Sequence, residues 1–354
     1  MRRWGSSTAL AAAVATLGAC GGHHAAAPPT TTTELAPPAP TTTTSTTLSR
    51  PAPPAPLTGL SQPNPTQLDK PAVVVKIDNV DAARPQTGLN QADVVYEELV
   101  EGGLTRLAAV FQSQYPSVVG PVRSGRLTDE GIADDLNHPV FAYSGTNAVF
   151  LPILQSQPLT GLNDDNAPNE FYRVDYAAAP HNLYSDVADL GAASTTHTPP
   201  LPLFHFVASG GTFTGGGIVP VSHVRISFPE AAITWDWSAT LREWLRGQNG
   251  TVDVDRSGAQ LTATNVIVEF IPYTTSLMAT GEGGPPAPIP FGNMVGSGTA
   301  WVLSNGHVVK VSWSRPNLTS VTSYKGAAGA NIAIDPGRTW VELVPVGTGL
   351  ELMP

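Results

Sequence analysis

Two carboxylates and a guanidinium, those of Glu97, Glu101 and Arg106, lie within one short segment around the dipeptide Gly102-Gly103. Paired carboxylates can perform acid–base chemistry, and a carboxylate beside an arginine can hold a charged ligand. Two consecutive glycines are typical of a β-hairpin, and a two-residue loop would place Leu99 opposite Arg106. Arg106 would then lie diagonal to both glutamates on one face, either in a structural salt-bridge ribbon or in the lining of a binding cleft.

Arginine supplies every positive charge other than histidine between residues 81 and 181. Its planar guanidinium recognises carboxylate or phosphate with two parallel hydrogen bonds, which lysine cannot do. Arg123 and Arg126 share the segment Gly-Pro-Val-Arg-Ser-Gly-Arg, which is typical of a shaped loop that places both guanidiniums close together. With Arg106 they are the candidate ligand-binding residues of an anion pocket. The alternative is a genome that favours arginine everywhere, since the chain has four lysines and fourteen arginines.

His181 follows a polar segment that contains proline, where an imidazole could act as a general acid or base, or donate to an anion. A loop histidine that caps backbone groups is the alternative. Glu97, Glu101 and His181 are therefore the candidate catalytic residues if the protein is an enzyme. No histidine pair has the spacing of a metal site, and the sequence lacks the motifs typical of nucleotide hydrolases and α/β-hydrolases. We expect no metal and no cofactor.

The N-terminus has the pattern of a secretory signal. Arg2-Arg3 precedes an apolar run over residues 7–17, and small residues lead into Cys20, the single cysteine of the chain. Leu17-Gly18-Ala19-Cys20 resembles the bacterial lipobox, in which the cysteine becomes the lipidated first residue. The apolar run is shorter than the ~20 residues that span a bilayer. We therefore expect a signal peptide over residues 1–19 and attachment to the extracytoplasmic face of the membrane by lipid on Cys20.

The mature chain is acidic and begins with a segment that is unsuited to folding. Without residues 1–19 it has 16 basic and 28 acidic side chains and a formal charge of −12, which argues against nucleic acid as a partner. Residues 21–56 contain ten threonines, nine prolines and only two charged side chains. Such a composition cannot bury enough apolar surface to fold. The sequence therefore predicts a disordered Pro/Thr-rich linker over residues 20–56.

The remainder predicts an α+β protein of two domains, and the first, over residues 57–205, is expected to be mixed α/β. Its predicted elements are a strand at 72–77, hairpin arms at 93–101 and 104–112, a helix from Thr128, a strand at 140–144 and a helix at 148–155. Asp93, Glu97 and Glu101 also recur at i, i+4, so a helix is the alternative for the first hairpin arm.

The second domain, over residues 218–350, is expected to be mainly β. Its strand-favouring runs are 224–228, 232–237, 260–273, 300–313 and 339–344. Asn305-Gly306 is a strong hairpin turn within the fourth run. Six of the seven tryptophans lie in this half of the chain. They either fill a core, as large aromatic side chains in strands usually do, or offer stacking platforms for sugar rings.

Several motifs of the folded part resemble the YerB-like bacterial lipoproteins. They are 73–79 (VVVKIDN), 83–89 (ARPQTGL), 92–103 (ADVVYEELVEGG), 120–126 (GPVRSGR), 179–184 (APHNLY) and 335–340 (DPGRTW). The resemblance covers nearly all of the folded part. It implies two domains of unknown function, so it supplies an architecture and a location but no reaction.

Taken together, these patterns predict a cell-surface lipoprotein that acts as a binding or scaffold module in the cell envelope. Its partner would be an envelope protein or an anionic glycan, in keeping with the arginine-rich candidate pocket. The alternative is an envelope enzyme that acts on a glycan or a phosphate ester. In that case a glutamate would serve as acid/base, and the arginines would hold the anion.

Overall fold

The computed structural model describes residues 52–208, 211–213, 215–279 and 286–354. The predicted signal peptide, Cys20 and nearly all of the predicted linker lie outside the described residues. The protein is mostly sheet, with 40% of residues in strands and 12% in helices, so the fold is carried by strand pairing. None of the helices in the described ranges is long and apolar enough to cross a membrane.

Strands and short helices alternate in the first half of the chain. The α-helices are α1 (Pro65–Leu68), α2 (Thr128–Ala133), α3 (Phe150–Ser156) and α4 (Val187–Ala192). The strands are β1 (Val73–Asp78), β2 (Val94–Leu99), β3 (Thr105–Phe111), β4 (Val140–Ala142), β5 (Thr160–Leu162), β6 (Phe171–Arg173) and β7 (Leu183–Ser185). The expected strands, hairpin and two helices are confirmed here, and the alternative of a helix for the first hairpin arm is wrong.

Beyond Ala192 all regular elements among the described residues are strands. They are β8 (His205–Phe206), β9 (Val219–Pro220), β10 (His223–Ser227), β11 (Ala232–Ser238), β12 (Glu243–Gln248), β13 (Thr251–Val252), β14 (Thr262–Ala263), β15 (Asn265–Ile271), β16 (Tyr273–Ala279), β17 (Pro286–Gly292), β18 (Gly296–Ser304), β19 (His307–Arg315), β20 (Ser323–Lys325), β21 (Ala333–Ile334), β22 (Thr339–Pro345) and β23 (Leu350–Met353). The turn between β18 and β19 is Asn305-Gly306, with φ of 49° and 71°. This hairpin is confirmed.

One large sheet joins both halves of the chain. Its strands lie in the order β20-β19-β18-β15-β22-β2-β3-β1-β4-β5, and β9 pairs with β19 beside this path. The halves meet where β22 pairs in parallel with both β15 and β2. Side chains from the two ends of the sequence can therefore contact each other on either face of the sheet.

The large sheet separates two apolar cores. On one side it packs against α4 and a smaller sheet in the order β13-β12-β11-β10-β23, in which β14 also pairs with β12. On the other side it is covered by α2 and α3, which bury Ile132, Phe150 and Leu154. The interpretation of the tryptophans as core residues is confirmed for the four that are fully buried, namely Trp235, Trp244, Trp313 and Trp340.

The pairing of β2 with β3 differs from the predicted register by one residue. Arg106 lies opposite Glu98, and Leu99 lies opposite Thr105. The loop has three residues, Glu101–Gly103, because Val100 N donates to Leu104 O at 2.8 Å and both glycines adopt positive φ, 70° and 78°. The predicted register was therefore wrong by one residue. Because such a shift moves a side chain to the other face, Arg106 does not share a face with Glu97.

Candidate functional site

An open cavity of about 410 Å³ lies beside the loop between β2 and β3. Its charged lining consists of Glu101, Arg106 and Arg126. The rest of the lining is polar or apolar: Thr105, Ser124, Thr146, Asn147, Val80, Val100, Leu104 and Ile289. Three of the six predicted catalytic and ligand-binding residues thus share one solvent-open cavity.

Arg126 and Glu101 form an ion pair at the wall of this cavity. The Arg126 Nε atom lies 2.7 Å from Glu101 Oε1, and its Nη1 atom donates to the Gly125 carbonyl at 2.8 Å. Burial opposes the ionisation of Glu101, but the charge and hydrogen bond of Arg126 outweigh it and hold the pKa of this carboxyl below its usual value. Glu101 is therefore an ionised partner of Arg126, which makes it a poor proton donor at neutral pH.

Arg106 has no carboxylate within ion-pair distance in the described part of the chain. Its Nη1 atom donates to the Ser124 carbonyl at 3.0 Å. Burial and the nearby charge of Arg126 lower the pKa of Arg106 to about 10, against the opposing charge of Glu101. On the same cavity wall, Asn147 Nδ2 is buried and donates to none of the described residues. The cavity thus contains donors that the protein leaves unmatched.

Asp78 holds the two remaining residues of this region, Arg123 and His181. Its Oδ2 atom lies 3.0 Å from Arg123 Nε and 2.9 Å from His181 Nδ1. Asp78 is 2% exposed, and it lies opposite Arg106 in the pairing of β1 with β3. The sequence analysis did not single out Asp78, although an acidic residue at the end of an apolar strand was a visible signal. Together the region has three guanidiniums and two carboxylates, an excess of one positive charge.

A second set of charges, which does not line the cavity, is fully buried. Lys76 forms ion pairs with Glu98 and with Asp129, whose Oδ1 atom lies 2.8 Å from Lys76 Nζ. The other oxygen of Asp129 accepts a hydrogen bond from the Arg126 backbone N at 2.6 Å, which ties this set to the cavity wall. Burial and the charge of Asp129 raise the pKa of Glu98 to about 7, although Lys76 opposes the shift. Glu98 escaped the sequence analysis because the predicted hairpin register turned it away from Arg106.

Glu97 lies on the other face of the large sheet, in a sealed charge cluster centred on Arg246. Arg246 Nη2 lies 2.6 Å from Glu97 Oε2, and Arg246 Nη1 pairs with Asp253. Thr105 Oγ1 donates to Glu97 at 2.7 Å, and the guanidinium of Arg246 lies 5.0 Å from the ring centroid of Trp340. Both Glu97 and Arg246 are 0% exposed. Glu97 and Glu101 therefore do not line a common cleft.

Glu342 extends this sealed cluster from β22, where it lies opposite Glu97. Burial, together with the charge of Glu97, raises the pKa of Glu342 well above its usual value. This shift favours the protonated form of Glu342, which accepts a hydrogen bond from Trp235 Nε1 at 2.9 Å. The same burial that seals the cluster therefore disfavours a third negative charge beside Glu97 and Asp253.

Two sequence profiles match most of the folded part. They describe the N-terminal and C-terminal domains of a family of proteins of unknown function, DUF3048, and match residues 57–199 and 224–341. The chain belongs to this family. It is 27% identical over 308 residues to a protein of Bacillus subtilis (strain 168) named "Putative lipoprotein YerB", covering 82% of this chain and 86% of that protein. The crystal structure of YerB protein from Bacillus subtilis has the same fold, with a TM-score of 0.69 and 24% identity over 84% of this chain and 99% of that one.

The charged residues at the cavity and those of the sealed cluster are distributed differently over the two DUF3048 domains. Glu101, Arg106, Arg123, Arg126 and His181 all lie within the N-terminal match, and Ile289 of the C-terminal match adds an apolar side chain to the cavity. The sealed cluster instead joins Glu97 of the first match to Arg246 of the second. One cluster therefore links the two domains, and the other is built almost entirely by one of them.

Proposed function

We propose that this DUF3048 protein is a lipid-anchored binding module of the bacterial cell envelope whose arginine cavity recognises an anionic group. The lipobox-like motif that ends at Cys20 supports the lipid anchor, as does the similarity to a protein named as a lipoprotein. The observation that supports the binding function is the position of Arg106 and the lack of a carboxylate beside it among the described residues. This guanidinium lines an open cavity without a carboxylate partner among the described residues.

The charges around Arg106 favour an anion as the missing partner. Arg123 and Arg126 are matched by Asp78 and Glu101, which leaves Arg106 as the unmatched cation. Like charges at close range repel by about 1 kcal/mol or more near a protein surface, and a bound anion removes that cost. A carboxylate or phosphate can also accept two parallel hydrogen bonds from a guanidinium.

The placement of the acidic residues supports binding rather than acid–base catalysis. Glu97, a candidate general acid or base, is sealed against Arg246 on the other face of the sheet. Glu101 reaches the cavity, but its low pKa keeps it ionised beside Arg126. Glycoside hydrolysis needs two carboxyl groups about 5–9.5 Å apart in one cleft, and these two glutamates do not provide that arrangement.

The proposal predicts that the protein binds inorganic phosphate through Arg106. Substitution Arg106→Gln keeps a polar side chain of similar shape but removes the charge and the planar fork. Charge-assisted hydrogen bonds contribute about 1.5–3 kcal/mol, so we expect the phosphate affinity to fall by a factor of about 10 to 100. Isothermal titration calorimetry of the mature chain with phosphate at low ionic strength measures this change directly.

The matched control is Arg225→Gln. Arg225 is an exposed residue of β10 that forms no ion pair with any described side chain, so its loss should leave phosphate affinity unchanged. If both substitutions weaken phosphate binding equally, the affinity reflects overall charge and not the cavity. Unchanged binding in Arg106→Gln, or no binding by the parent protein at millimolar phosphate, overturns the proposal.

A further inference from the structure

Two exposed tyrosines lie over a buried one close to the arginine cavity. Tyr172 and Tyr176 are 42% and 45% exposed and are the most exposed aromatic side chains in the described part of the chain. Their ring centroids lie 6.5 Å and 5.9 Å from that of Tyr184, which is buried. Arg256 completes this tyrosine cluster, with its guanidinium carbon 3.4 Å from the ring centroid of Tyr176.

The tyrosine cluster adjoins the arginine cavity through the segment that carries Arg123. The Tyr184 ring packs on Gly120, where a Cβ atom would lie only 2.7 Å from Tyr184 Cδ1. Arg123 follows Gly120 by three residues, and His181 precedes Tyr184 by three residues. Ser124 and Arg126, which line the cavity, belong to the same segment, so Gly120 beside the tyrosine cluster and Ser124 at the cavity are four residues apart, a span of at most about 14 Å.

The arrangement of the rings indicates which one is available to a ligand. Arg256 covers a face of Tyr176, in the geometry of a cation–π contact. Tyr172 is also exposed, and among the described residues its ring has only a tilted contact with Tyr184 and no cation over it, so a face of this ring is left for a ligand. An exposed aromatic ring offers a flat apolar face beside a polar hydroxyl, which suits the apolar face and hydroxyl edge of a sugar ring.

We infer that Tyr172 is a sugar-stacking subsite and that the anionic ligand of the cavity is part of an acidic glycan. The inference rests on the proposed function, because the cavity supplies the site for the acidic group. Arg256, over the neighbouring Tyr176 ring, adds a further cation to the tyrosine cluster. In an acidic glycan each sugar presents a ring face, which can stack on Tyr172, and a negative charge, which can bind in the cavity. A small inorganic anion would bind in the cavity alone and would not contact Tyr172.

The test uses two hexasaccharides that differ only in charge. Hexagalacturonate carries a carboxylate on every sugar, and its methyl ester presents the same rings without charge. We expect the mature chain to bind the acidic form more tightly. Tyr172→Ala should weaken the binding of both forms by about tenfold, because ring stacking does not depend on ligand charge. Tyr172→Phe keeps the ring and should bind both hexasaccharides as the parent does. Arg106→Gln should reduce the difference in affinity between the acidic hexasaccharide and its methyl ester.

The outcomes separate this inference from the proposed function. If Tyr172→Ala binds both hexasaccharides as the parent does, or if the parent binds phosphate but neither hexasaccharide, the sugar subsite is wrong and the anion cavity stands. A loss of binding in Tyr172→Phe as large as that in Tyr172→Ala also overturns ring stacking. If the parent does not bind phosphate at millimolar concentration, the proposed function itself fails, whatever the hexasaccharides do.

Discussion

Arg106, on β3 of the large sheet, and Arg246, on β12 of the smaller sheet, lie on opposite sides of the large sheet and have opposite surroundings. Arg246 is 0% exposed and has two carboxylate partners, Glu97 and Asp253. Arg106 is half-buried at the wall of an open cavity and has no carboxylate partner among the described residues. A sealed guanidinium whose charge is matched by two carboxylates is suited to holding the fold together. An open and unmatched one is suited to holding a ligand, so residue type alone does not distinguish the two roles.

The difference begins with two consecutive residues of β2. Glu97 points to the face where β12 supplies Arg246, and Glu98 points to the face where β3 supplies Arg106. Alternation along a strand therefore places Glu97 in the junction between the domains and Glu98 in the buried charge set with Lys76 and Asp129. We therefore expect substitutions in the sealed cluster to change the free energy of unfolding and substitutions at the open cavity to change ligand affinity.

The largest expected effect is on stability, from Arg246→Met. The substitution removes one partner of a buried ion pair and leaves the carboxylates of Glu97 and Asp253 buried without their counter-charge. Losses of this kind typically cost about 3–5 kcal/mol of unfolding free energy. Urea denaturation followed by tryptophan fluorescence measures the change, with Arg225→Met on the exposed face of β10 as the control. A loss below about 1 kcal/mol contradicts the sealed role of Arg246.

Local parts of this contrast could be predicted from the sequence, and long-range parts could not. The strand β1, the hairpin and the Asn305-Gly306 turn depend on neighbouring residues and were expected correctly. The contact of Arg246 with Glu97 joins residues 149 positions apart, and that of His181 with Asp78 joins residues 103 apart. No local pattern encodes such contacts, because they depend on which strands become neighbours in the shared sheet.

The hairpin register was within reach of the sequence but turned on the length of one loop. Three-residue loops that contain glycine are a common alternative to two-residue loops. Counting Glu101 as part of the loop places Glu98 opposite Arg106, as observed. The register error placed Glu97 in the expected site and left Glu98 out of it.

A smaller effect is expected from Glu98→Gln, and it appears as a change in pH dependence. The pKa of Glu98 is about 7 in the folded protein, above the usual value of 4.5, so the folded state retains a proton that the unfolded state has lost. The contribution of Glu98 to stability is fully present below about pH 4.5 and is lost as the pH rises through about 7. At about 1.4 kcal/mol per unit, this decline is a few kcal/mol.

Glu98→Gln should reduce the measured decline by that amount, because glutamine has no proton to lose. The part due to Asp93, Asp135 and Glu269, whose pKa values are also raised by burial, should remain. Unfolding free energies measured at intervals between pH 4.5 and pH 8 test this expectation. The control Glu351→Gln changes an exposed glutamate of β23 and should preserve the slope of the parent. An unchanged slope in Glu98→Gln would mean that Glu98 is ionised throughout this range, and the contrast between Glu98 and the ionised Glu101 would disappear.

The smallest expected effect is that of Arg106→Gln on the stability of the ligand-free protein. The substitution relieves repulsion from Arg126 and can remove one hydrogen bond, to the Ser124 carbonyl; each contribution is on the order of 1 kcal/mol, and the two have opposite signs. We therefore expect an unfolding free energy within about 1 kcal/mol of the parent, with any gain shrinking as salt screens the charges. Phosphate should separate the two proteins, because a ligand at 100 times its dissociation constant stabilises the parent by about 2.7 kcal/mol and the variant by much less. If Arg106→Gln instead unfolds as readily as Arg246→Met, both arginines are structural and the distinction between the open and sealed clusters fails.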